Sequence, residues 1–263
     1  LSAPVNKLAA ALLTFLTTSK IKEEILDLNT SEESEQAIDR LEGTIKEIAF
    51  ENVSFEYENG KSVIRGLSIS FPANSKTLIW GPNGSGKSTI VKLLTKDCLD
   101  YSGSIKVNGK ELKLLKQDSL FQRMGVVPQS IYLFNDSLQN NIILYRVFTD
   151  EQVQNVINKL NLQHLLSFQD YSDSMENISG GEKQKIAIAR ALLHQASVII
   201  LDEALSQVDK ESSAALEKEL LAKDNQILIH IAHKLNKSLT IKYDQIIVFS
   251  AEGKVQVLKG RLK

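Results

Sequence analysis

GPNGSGKST, residues 81–89, is the stretch whose reading decides the fold. Gly81, then four residues, then Gly86-Lys87-Ser88 is the spacing of a phosphate-binding loop. The flanks agree with that reading. Residues 77–80 (TLIW) form a short apolar run suited to a buried strand, and residues 90–94 (IVKLL) continue with helical spacing. Gly81, Gly84 and Gly86 let the backbone turn its N–H groups inward, which makes an anion site at a helix N-terminus. In such a loop Lys87 reaches the terminal phosphates and the Ser88 hydroxyl holds a magnesium ion.

Outward from the loop, the chain reads as strands alternating with helices. Residues 45–57 alternate apolar and polar (Ile48, Phe50, Val53, Phe55, Tyr57), the mark of antiparallel strands with one wet face. A turn at 58–61 precedes residues 63–71, read as a further strand pair. Short strands are expected at 103–107 and 124–127, the second stopped by Pro128. Residues 137–169 are helical and mostly polar; a helix follows over 179–194, and another over 212–221. Buried runs at 197–201 and 226–232, with strands at 245–249 and 254–258 about a turn at 251–253, complete an α/β pattern with a parallel sheet covered on both faces.

Composition restricts the function. The 263 residues carry 31 Lys and Arg against 32 Asp and Glu, so net charge gives no sign of a nucleic-acid partner. The single cysteine, Cys98, has no partner for an internal disulfide, which suits a reducing compartment. No run of 18 apolar residues is present to span a bilayer, and no secretory signal is read. Residues 1–28 read as one helix with an apolar stripe (Val5, Leu8, Leu12, Phe15, Leu16, Ile21, Ile25) that needs a partner surface. A polar, acidic stretch follows over 29–40, and a domain boundary is placed near Gly43.

Residues 197–203 (SVIILDE) end an apolar strand in two carboxylates. Ligands of open parallel sheets bind beyond the carboxyl ends of the strands, so Asp202 suits the second shell of a magnesium ion and Glu203 a general base for water. Ser179 and Glu182 make a capping box, which accounts for both residues structurally. Gly180 and Gly181 between them weaken a helix start, and their use is close approach of backbone to a ligand.

With these motifs in hand the region from about Ile45 to Gly260 resembles the nucleotide-binding domain of an ATP-binding-cassette (ABC) transporter. The resemblance rests on the glycine loop, on NISGGEKQK at 177–185, on the strand ending Asp202-Glu203 and on Ile231-Ala232-His233. It implies a P-loop NTPase (RecA-like) core with a parallel sheet, an antiparallel β subdomain and a helical subdomain over about residues 130–178. It implies ATP and Mg2+ as ligands. Gly81, Pro82, Asn83, Gly84, Ser85, Gly86, Lys87, Ser88 and Thr89 would cradle the phosphates, and Tyr57 would stack on the adenine. Gln129 would touch both the magnesium and the attacking water; His233, favoured over mid-strand His230, would contact the γ-phosphate. Ser179, Gly180, Gly181 and Glu182 would face the γ-phosphate held by an opposite subunit, with Asp209 in the loop that crosses between subunits.

The segment from Pro128 to Ser137 is similar to the exporter version of the glutamine loop, and residues 1–43 resemble the cytoplasmic end of a last transmembrane helix with its linker. The chain is then expected to be the C-terminal part of a longer polypeptide, an ATPase at the cytoplasmic face of a membrane. Its partners would be a transmembrane domain of the same polypeptide and a second nucleotide-binding domain, identical or closely related; no nucleic acid is expected. The other class is a soluble ABC ATPase working on nucleic acid or the ribosome, which would carry basic or coiled-coil insertions. The sequence departs from the family at Glu182, where glutamine is usual, at Lys185, where arginine is common, and at 171–177, which lacks the exporter's glycine pattern. It also ends soon after Gly260 without a trailing helix.

Overall fold

A computed structural model of the chain describes residues 38–58, 60, 62–167, 178–233, 238–250 and 255–259. The expected opening helix, most of the linker, the segment at 171–177, the turn at 251–253 and the chain end past residue 259 lie outside the described residues. The strands run β1 (Glu47–Glu56), β2 (Ser62–Pro72), β3 (Lys76–Trp80), β4 (Ser102–Val107), β5 (Lys110–Glu111), β6 (Met124–Val127), β7 (Val198–Asp202), β8 (Ile227–Ala232), β9 (Gln245–Phe249) and β10 (Val255–Lys259). The helices are α1 (Lys87–Leu94), α2 (Gln117–Phe121), α3 (Leu138–Ile143), α4 (Asp150–Lys159), α5 (Gly180–Leu193) and α6 (Lys210–Ala222).

Two sheets divide the molecule. One is antiparallel, in the order β2-β1-β4-β5; the other runs β10-β9-β3-β8-β7-β6 and is parallel except for β10. The alternation in β1 does what its period requires: Ile48, Phe50, Val53 and Phe55 are buried while Glu51 and Glu56 are not. β7 is buried along its whole length, as a strand covered on both faces must be. Its side chains alternate between two cores. Val198 and Ile200 pack with Ile90, Leu93, Phe50 and Phe71 on the side of α1 and the antiparallel sheet. Ile199 and Leu201 pack with Ile186, Leu192, Leu216 and Leu220 on the side of α5 and α6.

Two expectations change. Residues 45–57 and 63–71 are not strand pairs but one long strand each, β1 and β2, paired antiparallel with slips in register. The slips are irregularities within the strands: Asn52 (φ 50) and Gly66 (φ 58) lie in the left-handed region, the geometry of a bulge. Helix α6 starts two residues earlier than expected, because Asp209 accepts a hydrogen bond from the Ser212 N–H (2.8 Å) and caps it. The stretch expected to be helical over 137–169 holds α3, α4 and a short 3-10 turn, Gln163–Ser167. Near the expected boundary the chain is already attached: Leu41 is buried, its N–H donates to Ser119 Oγ (3.1 Å), and Arg123 Nε donates to the Gly43 carbonyl.

Candidate nucleotide site

The site is assembled at the carboxyl edge of the parallel sheet. β3 ends at Trp80, the glycine loop follows, and α1 starts at Lys87 with no side chain among the described residues capping its N-terminus. Gly86 (φ 103) is required twice: only glycine adopts that backbone freely, and a Cβ there would collide with the Val63 side chain. The Ser85 hydroxyl is buried with no hydrogen-bond partner among the described residues. Uncapped helix N–H groups and an orphaned buried hydroxyl in one loop are the fittings of an anion cradle.

Around this loop the charged groups converge. Lys87 Nζ donates to the Pro82 carbonyl (2.8 Å) and stands 3.8 Å from Glu203 Oε1. Ser88 Oγ donates to Asp202 Oδ1 (2.9 Å). Burial raises the Asp202 carboxyl above its ordinary range, with the Ser88 bond opposing and the charge on Glu203 adding to the rise. Gln129 Nε2 donates to the other Glu203 oxygen, Oε2, at 3.0 Å. Glu203 itself is a non-glycine residue with φ 53, a conformation costing roughly 1–2 kcal/mol. Its N–H donates to the Ile231 carbonyl (3.0 Å), which extends the sheet one residue past β7 and holds the strained backbone. Tyr57 leans on the loop helix: its hydroxyl is 3.1 Å from Thr89 Oγ1, and Lys92 Nζ lies 5.4 Å from its ring centroid.

Tyr57, Asn83, Gly84, Gly86, Lys87, Ser88, Thr89, Gln129 and Glu203 line one cleft of about 360 Å³, with Val63 and Lys92 beside them. A neighbouring cleft of about 670 Å³ shares Asn83 and Glu203 and is lined also by Ser206, Glu217, His230 and His233. His233 is exposed at the end of β8, and its carbonyl accepts from Trp80 Nε1 (3.1 Å). His230 is buried and its Nδ1 lies 2.6 Å from the Tyr243 hydroxyl, which donates to Glu217 Oε1 (2.8 Å). Burial pushes the His230 ring down to about 4, so it is neutral at pH 7, and pushes the Glu217 carboxyl up.

Ser179, Gly180, Gly181, Glu182 and Asp209 do not line either cleft. They sit together at the head of α5 and the loop before α6. The capping box is complete: Glu182 N–H donates to Ser179 Oγ (3.2 Å), and Ser179 N–H donates back to Glu182 Oε2 (2.8 Å). The Ser179 hydroxyl also turns to Oε2 (2.6 Å), and His164 Nε2 is 2.6 Å from Oε1. Burial works to raise the Glu182 carboxyl, but the His164 and Ser179 bonds outweigh it and hold it below its ordinary range. The two glycines have a reason within the chain that sequence reasoning missed. A Cβ on Gly181 would stand 2.7 Å from the Gln207 carbonyl oxygen, and one on Gly180 would strike the Gln207 side chain.

Gln184 was missed as well. It is buried, its Oε1 accepts from Gln207 N–H (2.8 Å), and its Nε2 reaches Ser206 Oγ (3.3 Å) and the Glu203 carbonyl (3.5 Å). The available signal was a glutamine four residues before Ile188 on the apolar face of α5, where a buried amide must find partners. His164, on the Gln163–Ser167 turn, gave no comparable signal.

A strand, glycine loop and uncapped helix beside a carboxylate pair, on a parallel sheet joined to an antiparallel one, define a P-loop nucleoside triphosphatase. The chain belongs to the ABC transporter family, whose model matches residues 64–206. It is 40% identical over 222 residues to ATP-binding cassette sub-family B member 6 of Xenopus tropicalis, covering 81% of this chain and 26% of that protein. To the ATP-dependent lipid A-core flippase of Sodalis glossinidius it is 36% identical over 243 residues, 88% of this chain and 40% of that one. A solved structure of a bacterial Atm1-family ABC exporter with ATP bound is similar at a TM-score of 0.76 and 26% identity, over 97% of this chain and 48% of that chain. The chain thus spans well under half the length of these curated relatives.

Proposed function

We propose that this chain is the ATP-binding and ATP-hydrolysing part of an ABC exporter, acting at the cytoplasmic face of a membrane. The observation that carries the reading is the Glu203 carboxylate, held between Lys87 Nζ (3.8 Å) and Gln129 Nε2 (3.0 Å) beside the Ser88–Asp202 pair. In this reading the glycine loop and the N-terminus of α1 take the triphosphate, Lys87 binds its terminal phosphates, and Tyr57 stacks on the base. Glu203 accepts the proton of the attacking water, which Gln129 orients, and His233 donates to the γ-phosphate from the neighbouring cleft. Ser88 Oγ and Asp202 Oδ1 are hard oxygen donors that suit magnesium, which binds through few protein ligands and keeps several waters. When bound, that ion offsets charge on the transferring phosphoryl group.

Although Ser206, Val208 and Lys210 of the loop at Asp209 border the larger cleft, Ser179 and Gly181 at the head of α5, and Asp209 itself, line neither of this chain's own clefts. They serve the nucleotide of a second, head-to-tail copy or close paralogue, so that each ATP is held by two chains. A transmembrane domain of the same polypeptide is the partner driven by this closure. The names of the relatives, a flippase and an Atm1-family exporter, favour transport over a soluble ATPase.

The test is Glu203→Gln in the full polypeptide. The amide keeps the size and the hydrogen bond to Gln129 but cannot accept a proton. ATP binding is expected to persist while steady-state hydrolysis falls by about 10²–10⁴-fold. Turnover within twofold of the unsubstituted protein would remove Glu203 as the base.

A further inference from the structure

The carboxylate at Glu182 poses a problem that the structure answers. It sits in the first turn of α5, where the helix dipole favours an anion. If that turn also receives a triphosphate from an opposite subunit, a carboxylate there repels it. Glu182 is not free to swing: Oε2 takes both the N–H and the hydroxyl of Ser179, at 2.8 and 2.6 Å, and Oε1 faces His164 Nε2 at 2.6 Å. Both oxygens are therefore occupied, and the third contact comes from another element.

We propose that His164 is a positioning residue of the nucleotide cycle: its Nε2, 2.6 Å from Glu182 Oε1, holds that carboxylate against Ser179, so that it is kept aside where a phosphate must approach. The inference rests on the reading that the head of α5 faces a partner's ATP. His164 comes from the Gln163–Ser167 turn, which follows α4, so the same bond fastens the helical segment to α5. Its side chain is 58% exposed and that of Glu182 24%, so the pair adds little to folding stability. Its effect falls instead on what comes near. Without His164 the Glu182 side chain loses its contact from the Gln163–Ser167 turn and can leave Ser179, which brings its charge toward an incoming polyphosphate.

The experiment is a double-substitution cycle in the full polypeptide, reading the ATP dependence of steady-state hydrolysis. His164→Ala is expected to raise KM for ATP about five- to tenfold, with kcat within twofold. His164→Gln, which keeps a hydrogen-bond donor at this position, is expected to restore most of the loss. Glu182→Gln together with His164→Ala is expected to match Glu182→Gln alone, because no carboxylate is left to hold aside. Equal losses in His164→Ala with and without Glu182→Gln would overturn the proposal, as would a fall in kcat at constant KM or equal losses for the Ala and Gln variants of His164. Lys87→Ala separates this from the underlying reading. If it hydrolyses ATP like the unsubstituted protein, the nucleotide site itself is misassigned; if it is dead while His164→Ala is unaffected, only the role of His164 fails.

Discussion

Tyr243→Phe removes one oxygen atom from the middle of the sheet's α6 face. The ring is 2% exposed, and its hydroxyl donates to Glu217 Oε1 (2.8 Å) while lying 2.6 Å from His230 Nδ1. The substitution keeps the packing and deletes both contacts. The hydrogen bond to the carboxylate is worth about 1.5–3 kcal/mol, and leaving two buried polar groups without a partner costs about 1–3 kcal/mol more. Because Glu217 and His230 also border the 670 Å³ cleft, water can reach them and relieve part of this. The expected net loss is about 3 kcal/mol. With a urea m-value near 3 kcal/mol per molar, the unfolding midpoint falls by about 1 M at unchanged m. Trp80 is the only tryptophan and ends β3, so its fluorescence reports the same sheet that circular dichroism reports globally. Coincidence of the two transitions validates the comparison. Replacing Glu217→Met in the Tyr243→Phe background removes the stranded carboxylate and is expected to recover at least about 1 kcal/mol, a non-additive outcome. A loss below about 0.5 kcal/mol for Tyr243→Phe would refute the argument that these three side chains form a stabilising buried network.

Gly181→Ala places a Cβ 2.7 Å from a backbone oxygen, that of Gln207, and is expected to destabilise by about 1–3 kcal/mol even without nucleotide. Gly180→Ala meets only the movable Gln207 side chain and is expected to cost less in thermal unfolding of the isolated chain; the reverse order would contradict the contact. A pH prediction follows from His230, whose ring is pushed from 6.5 to about 4 in the fold by burial. The unfolded chain takes up that proton as pH drops below 6.5 and the folded one does not until near 4. The His230 contribution is therefore complete above pH 6.5 and is lost between 6.5 and 4, by up to about 1.4 kcal/mol per pH unit. Glu217, raised by burial, acts in the opposite sense, so the net slope of the unsubstituted protein is smaller. Denaturant titrations of His230→Val should give a stability that rises less steeply with pH than its parent's between pH 4.5 and 6.5, or falls, because only the opposing Glu217 term is left, and parallel curves would sink the assignment.

Local signals carried much of the fold. β7 was read to within a residue because unbroken apolar residues end at a carboxylate, and the glycine loop declares both the strand before it and the helix after it. That β1 and β2 are single strands was not legible: Asn52 and Gly66 face each other across the two strands where the register slips, a relation that exists only once the strands pair. The placement of Asp202 and Glu203 where a buried strand ends was legible for the same reason as β7 itself. Relations between residues far apart were not. His164 and Glu182 are 18 positions apart on different elements, Gln184 serves a loop some twenty residues on, and Glu217, His230 and Tyr243 meet only when α6 lies on the sheet. Gly180 and Gly181 were read as making room for a ligand; in the fold they first make room for Gln207.

The amide of Gln184 gives the molecule a mechanical property. One side chain is bonded to Gln207 and reaches Ser206 and the Glu203 carbonyl, and Gly181 is set against the Gln207 carbonyl, so sliding of the head of α5 past the loop after β7 would break these contacts. These contacts couple the two segments like the arms of a lever. On the function proposed above, the two ends of that lever belong to different ATP molecules, so a tilt at one is felt at the other across only a few bonds. Lengthening or softening Gln184 would then decouple the two sites while leaving each one whole.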